Sequence, residues 1–292
     1  MTAPIEQLIN LLNLEEIEKN HYRATSPSEG WQRVYGGQVL GQALVAASRT
    51  VEADRQAHSL HGYFLRPGDM KVPILYKVDR IRDGKSFTTR RVVAIQHGQA
   101  IFSMSISFQV MEEGLSHQFD MPEVPPPEAV RDELDIRKEQ MAKHPELFEG
   151  HPLSTRPIEF RLIDPADLFN PVKQAPRQMA WMRTSGTLPN DLRLHQCVLA
   201  YLSDWSLLDT ATLPHGISYL QHNIQMASLD HAMWFHRPFR ADDWLLYVQD
   251  SPSASGARGF NRGLIYSRDG TLVASATQEG LMRVHSKEQD TK

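Results

Sequence analysis

The chain repeats itself. His61-Gly62-Tyr63-Phe64-Leu65-Arg66-Pro67 reads like His231-Ala232-Met233-Trp234-Phe235-His236-Arg237-Pro238, and from the Arg-Pro pair onward the segments stay in step at an offset of 171 residues. At that offset Leu75 meets Leu246, Tyr76 meets Tyr247, Asp79 meets Asp250, Arg91 meets Arg262, and Ile101-Phe102 meets Leu272-Val273. Residue type and spacing conserved together over this length point to a duplicated domain rather than two unrelated β-meanders. With 292 residues there is enough chain for two cores of ordinary size.

Each copy opens with a stretch of helical character. Gln38–Ser48 is small or apolar nearly all round, and Leu194–Leu208 is its counterpart, with Val198, Leu199, Tyr201, Leu202 and Trp205. A helix apolar on most faces is a buried one. β-Branched or alternating runs follow, such as Ile74–Ile81, Phe87–Ile95 and Ile101–Val110, punctuated by Asp83-Gly84, His97-Gly98 and Asp269-Gly270 as hairpin turns. The expected architecture is α+β: a long antiparallel sheet wrapped around a buried helix, twice over. Between the copies, Met111 to Pro157 is rich in proline and acid and holds a charged stretch, Glu128–Lys143, that predicts a surface helix behind the prolines. The second copy's first strands are expected at Ile158–Ile163 and Gln178–Arg183.

Composition narrows the function. A net charge of -4 gives no basic footprint for nucleic acid, though a few local arginines would suffice for a phosphorylated ligand. No apolar run approaches the ~18–20 residues needed to cross a bilayer. Neither the Met1–Asn10 segment nor the final Gln289-Asp290-Thr291-Lys292 reads as an address, so the expected location is cytoplasmic. The single cysteine, Cys197, rules out a disulfide framework and a multi-cysteine metal site. It sits on an apolar helix with no obvious base and is expected to be buried and inert.

Several hydrolytic signatures are missing. There is no Gly-x-Ser-x-Gly elbow and no His-Glu-x-x-His. Asp83-Gly84-Lys85-Ser86 imitates the end of a phosphate loop, but the required earlier glycine falls at Asp79. What the second copy does carry is three polar residues in apolar settings. Asp204 lies near the end of the buried second helix, where a carboxylate costs free energy unless it is hydrogen-bonded or carries a proton; the first helix, Gly36–Thr50, has no acid at all. A helix-end aspartate serving the following turn is the plain alternative. Gln278 is the one strongly polar side chain on the face formed by Leu272, Ala274, Ala276, Gly280 and Met282; the offset of 171 places it opposite Ser107. Ser228 precedes the repeated motif and matches His58. Asp230-His231 looks like a catalytic pair, but His61 repeats the histidine in the copy without the acid, so His231 is expected to be structural, bonding near the Arg-Pro turn.

These residues carry a resemblance. Ser228-Leu229-Asp230-His231-Ala232-Met233-Trp234-Phe235-His236-Arg237-Pro238-Phe239 resembles acyl-CoA thioesterase II, as do Ser253-Ala254-Ser255-Gly256-Ala257-Arg258-Gly259-Phe260 and Ala274-Ser275-Ala276-Thr277-Gln278-Glu279-Gly280-Leu281-Met282-Arg283. Tyr35-Gly36-Gly37-Gln38-Val39-Leu40-Gly41-Gln42-Ala43 matches in the first copy. The resemblance implies a double hotdog, with residues 1–111 as the first domain, 112–157 as the linker and 158–292 as the second domain, which carries the catalytic residues. It implies hydrolysis of fatty acyl-CoA to free acid and CoA without a cofactor or metal. The family's aspartate, threonine or serine, and glutamine fall on Asp204, Ser228 and Gln278. Serine is a mild departure from the threonine of many bacterial relatives: the hydroxyl is kept and the methyl that fixes its rotamer is lost.

The expected chemistry is modest, because a thiol with a pKa near ~8.5 leaves without much protonation. What is needed is an oriented water and donors for the developing oxyanion. Asp204 orients or deprotonates the water, Ser228 and Gln278 hold it, and the main oxyanion donor is a backbone N–H that the sequence does not locate. Arg258, Arg262 and Arg283 are candidates for the CoA phosphates. The expected partners are the acyl-CoA substrate and further copies of this chain, as a homodimer or homotetramer, with no nucleic acid and no membrane insertion. A hotdog dehydratase would use the same tunnel but needs an Asp–His pair on a loop and helix; a silent acyl-CoA binder would not need the three polar residues.

Overall fold

A computed structural model describes residues 3–26, 33–143, 157–220 and 223–285. In chain order the elements are α1 (Pro4–Leu12), β1 (Glu15–Glu18), β2 (His21–Ala24), α2 (Gly36–Ser48), β3 (Arg55–Phe64), β4 (Ile74–Asp83), β5 (Phe87–Gln96) and β6 (Gln99–Val110). After α3 (Glu133–Lys143) come β7 (Ile158–Ile163), β8 (Arg177–Thr184) and α4 (Leu192–Ser203). β9 (Ile224–Ser228), β10 (Asp230–Phe235), β11 (Leu245–Ser255), β12 (Arg258–Ser267) and β13 (Leu272–Val284) complete the chain. The strands form one antiparallel sheet in the order β1-β2-β4-β5-β6-β3-β10-β13-β12-β11-β8-β7, with β9 paired to β13. The two copies meet at β3 and β10, where His61 pairs with Ala232, Leu60 with Met233 and Gly62 with His231. This is the α+β double hotdog.

α2 and α4 are the two wrapped helices. Val39, Leu40, Ala43, Leu44, Ala46 and Ala47 on one, and Val198, Leu199, Ala200 and Leu202 on the other, are buried in a single core. Glycine lets the helices touch: a Cβ at Gly37 would lie 2.2 Å from the Tyr201 carbonyl, and one at Gly41 would lie 3.0 Å from that of Cys197. At the other end Arg193, in the first turn of α4, donates to the Ser48 carbonyl (3.4 Å), an acceptor that the end of α2 leaves open, and to the carbonyl of Arg55 at the start of β3 (3.1 Å). The helices therefore run antiparallel, so the end of α4 meets the start of α2.

Two element boundaries differ from expectation for local reasons. The second helix does not run to Leu208; it stops at Asp204 (φ -80°, ψ -10°), because Ser206 takes a left-handed conformation (φ 70°), and a 3₁₀ segment, Leu208–His215, follows. The charged helix does not begin at Glu128. A 3₁₀ turn spans Pro127–Ala129, Val130 is extended, and Asp132 then caps the true start by accepting from the Leu134 N–H at 2.8 Å. The segment before it is tied down: the Trp181 indole donates to the Pro125 carbonyl (2.8 Å), while Gln118 bonds both Gly270 and Leu272. Met121, Val124 and Val130 pack on a second small core of Trp181, Trp244, Leu246 and Tyr266.

The register refines the repeat, and it corrects three equivalences. The β5–β6 hairpin closes on His97-Gly98, both with positive φ, whereas the β12–β13 hairpin spends one residue more, from Ser267 to Thr271. Beyond that turn the offset becomes 172. Arg90 pairs with Ile106 and Asn261 with Gln278, so the counterpart of Gln278 is Ile106, not Ser107. Ala57 pairs with Phe108 as Ser228 pairs with Gly280, so the counterpart of Ser228 is Ala57, not His58. His61 pairs with Ser105 as Ala232 pairs with Thr277, so the counterpart of His231 is Leu60. Each one-residue slip moves a side chain to the other face of its strand. His58 and Ser107, which the sequence comparison sets against Ser228 and Gln278, hydrogen-bond each other at 2.8 Å.

Candidate active site

The end of α4 brings Asp204 to the inner face of the sheet, with its side chain 5% exposed. No backbone cap uses its carboxylate among the hydrogen bonds of the described residues; side chains do. Gln278 donates from Nε2 to Asp204 Oδ1 at 2.6 Å, and Ser228 Oγ lies 3.4 Å from the same oxygen. The three residues singled out in the second copy thus converge from α4, β9 and β13. Ser228 reaches the carboxylate because the strand is interrupted at Leu229, which bonds on both sides, its N–H to the Glu279 carbonyl and its C=O to the Phe64 N–H (2.9 Å each). Gln278 is inward and buried, as the alternation of β13 requires.

His231 is the residue that sequence comparison placed wrongly. It is fully buried and turned into the site, not toward the Arg-Pro turn. Its Nδ1 accepts from Gln278 Nε2 at 3.3 Å, and its Nε2 lies 2.9 Å from Ser203 Oγ. The Ser203 hydroxyl donates to the Ala200 carbonyl (3.0 Å), so its oxygen accepts the ring N–H. Burial lowers the His231 pKa, with the Asp204 charge opposing that shift, so the ring is neutral at pH 7.

The Gln278 amide nitrogen therefore spends both protons inside the protein, on Asp204 and His231. Among the described residues its Oε1 is buried without a hydrogen-bond partner, and so is Oδ1 of Asn261, directly across on β12. Buried acceptors of this kind are usually satisfied. The first turn of α2 comes from the other copy: a Cβ on Gly36 would lie 2.6 Å from Asp204 Oδ2, so the second carboxylate oxygen faces the positive end of that helix. Asp209, partly buried in the 3₁₀ segment, has its pKa pushed up to about 7, by burial first and then by the Glu133 and Asp204 carboxylates.

The three arginines do not join this group. Arg258, Arg262 and Arg283 lie on the outer face of the sheet, opposite in alternation to Asn261 and Gln278. Arg258 pairs with Glu279 (2.8 Å) and Arg283 bonds Gln225 (3.2 Å). Arg262 makes two bonds of 2.8 Å to Asp250, a pair the first copy repeats as Arg91–Asp79. Among the described residues no helix is long and apolar enough to cross a membrane.

Comparison with known proteins decides the family. The model of the acyl-CoA thioesterase family matches residues 154–281, and that of the acyl-CoA thioesterase N-terminal domain matches 26–109. The chain is 41% identical to acyl-CoA thioesterase 2 of Haemophilus influenzae over 97% of this chain and 99% of that protein. The chain belongs to the acyl-CoA thioesterase II family. Mouse acyl-coenzyme A thioesterase 8 is 44% identical, covering 97% of this chain and 91% of the relative. The crystal structure of an acyl-CoA thioesterase II from Mycobacterium marinum superposes with a TM-score of 0.78 at 46% identity, covering 97% and 99% of the two chains. As a member of this family the protein is an acyl-CoA thioester hydrolase. The signal that would have found His231 from sequence alone was the offset of 171 fixed by Arg66 and Arg237, which sets His231 against Leu60; matching it to His61 uses an offset of 170.

Proposed function

We propose that the protein hydrolyses fatty acyl-CoA to the free acid and CoA through a water held by Asp204, Ser228 and Gln278. The observation that carries this reading is the convergence of all three on one point, with Gln278 Oε1 left as an unpartnered buried acceptor beside the carboxylate. A water there donates one O–H to Oε1 and the other to Asp204. Asp204 takes the proton as the water oxygen bonds to the thioester carbon. The tetrahedral intermediate collapses by breaking the C–S bond, and CoA leaves as thiolate, needing little acid assistance. Ser228 lies at the long end of hydrogen bonding to Asp204 and is free to turn its hydroxyl to the water.

The N–H groups of Gly36 and Gly37, which open α2 beside Asp204, are our candidates for the oxyanion donors. The Gln38 and Val39 N–H groups that follow are already bonded to the Tyr35 carbonyl (3.1 and 3.4 Å). Donors fixed at a helix start cost no reorganisation as charge develops. For the CoA phosphates Arg258 and Arg283 fit better than Arg262, whose bidentate pair is a repeated feature of the sheet. Each methylene of the acyl chain that is buried contributes about 0.8 kcal/mol, so tunnel depth sets chain-length preference.

The test is thiol release from short to long acyl-CoAs by the wild type and by Asp204→Asn. Loss of a general base costs roughly 10²–10⁴-fold, so the variant is expected to retain no more than about 1% of kcat with its fold intact. Full activity in Asp204→Asn would remove the carboxylate from the mechanism. No release by the wild type at any chain length would identify a binder instead.

A further inference from the structure

His231 is a buried histidine with both nitrogens committed, one to Ser203 and one to Gln278, and the reaction described above makes no use of it. Its place in the repeat is informative. Leu60 and Ile106, which pair directly in the first copy, stand where His231 and Gln278 stand in the second. The copy that lacks the acid lacks both polar partners together and fills their space with hydrocarbon.

We infer that His231 is a positioning residue that holds the Gln278 amide in one orientation throughout turnover, and that Ser203 fixes the tautomer that lets it do so. The Ser203 hydroxyl donates to Ala200, so it accepts the proton on Nε2 and leaves the Nδ1 lone pair facing the amide. The opposite tautomer would set a ring N–H against the amide N–H at 3.3 Å. Asp204 also holds Gln278 Nε2, but only while it is charged. When it takes the proton of the attacking water, its claim on the amide weakens, and a flipped amide would turn N–H where Oε1 must accept. His231 is neutral and its acceptor does not change through the cycle. It keeps Oε1 aimed at the water when Asp204 cannot. This rests on the assignment of Gln278 to the water.

The experiment is steady-state thiol release on the full chain with His231→Gln, His231→Asn, Ser203→Ala, Gln278→Ala and the double variant His231→Gln/Gln278→Ala, each checked by thermal melt. Asparagine places an acceptor where Nδ1 stands; glutamine reaches only the Nε2 position. His231→Gln is expected to lose roughly 10–100-fold in kcat, the range usual for residues that orient a reacting ligand in metal sites, with KM changed less than about twofold. His231→Asn restores most of that loss. Ser203→Ala, which leaves the ring in place, lowers kcat several-fold, about 3–10, in the same direction. In the Gln278→Ala background His231→Gln costs nothing further, because the residue acts only through the amide.

Equal impairment of the Gln and Asn variants, unchanged kcat in both His231→Gln and Ser203→Ala, or additive losses in the double variant would each overturn the inference while leaving Gln278 in the mechanism. Full activity in Gln278→Ala would overturn the water assignment itself, and this inference with it. If His231→Gln does not fold, the Asn and Ser203→Ala variants still decide.

Discussion

Replacing Gly36 by alanine tests whether the start of α2 is part of the site. The backbone at Gly36 is helical and is not among the left-handed glycines, so alanine is conformationally acceptable there. Helix propensity favours alanine by up to about 1 kcal/mol. The cost is local: the new methyl would lie 2.6 Å from Asp204 Oδ2 and 3.0 Å from the Phe64 ring, whereas ordinary contact begins at 3.4 Å. The carboxylate must therefore retreat by about 0.8 Å, the gap between those two distances. It cannot do so without straining its 2.6 Å bond from Gln278. A misplacement near 1 Å costs on the order of 10²-fold in a positioned reaction. Gly36→Ala is thus expected to lower kcat for acyl-CoA hydrolysis about 100-fold while its melting temperature stays level or rises. Thiol release at saturating substrate, set beside a calorimetric melt, measures both. Wild-type kcat in a folded Gly36→Ala variant would refute the placement of α2 against the acid.

Four further outcomes follow from other parts of the molecule. Burial raises the Cys197 thiol pKa far above its usual value, so the native protein should not react with a disulfide reagent until denatured; prompt stoichiometric labelling would contradict that burial. His231 has a folded pKa below its unfolded value of 6.5, so its contribution to stability is complete above that pH and is lost as pH falls below it. Wild type should accordingly lose more melting temperature between pH 8 and pH 5 than His231→Leu (pH values chosen about 1.5 either side of the free histidine pKa), and parallel losses would speak against the shift. Arg262→Ala removes an exposed pair worth at most about 1 kcal/mol and should leave KM unchanged, whereas Arg258→Ala and Arg283→Ala should raise KM in a salt-dependent way; a raised KM for Arg262→Ala alone would reverse that choice. Finally, sedimentation should find more than one chain per particle, and a monomer at all concentrations would dismiss the expected homo-oligomer.

How far the sequence could be read depended on which physical signal each residue left. The duplicated fold was legible because apolar helices and alternating strands leave periodic patterns, and the Arg-Pro motif fixed their spacing. Asp204 and Gln278 were legible as polar side chains where the pattern demands apolar ones. His231 was not, because its mismatch shows only against the correct partner, Leu60. Matching His231 to His61 uses an offset of 170 where the Arg-Pro pair gives 171, and in a strand a shift of one exchanges inside for outside. Gly36 was legible as part of a motif but not as a neighbour of Asp204, since that contact depends on the antiparallel packing of two helices 156 residues apart in their first residues, Gly36 and Leu192. The end of α4 at Asp204 was hidden because the backbone turns through a left-handed serine, a conformation serine does not advertise.

The site draws its acid from one half of the molecule and the wall behind that acid from the other. Two identical halves assembled around a twofold would be bound to carry two identical centres, so any change to one would be made in both. Joining them in a single polypeptide removes that constraint. Leu60, Ile106 and Ala57 stand in the first half where His231, Gln278 and Ser228 stand in the second, so the two halves differ at these positions within one chain. A covalent link between the halves holds each at high effective concentration beside the other. Cut between the halves, the chain would yield two pieces, neither holding both Asp204 and the Gly36 turn beside it.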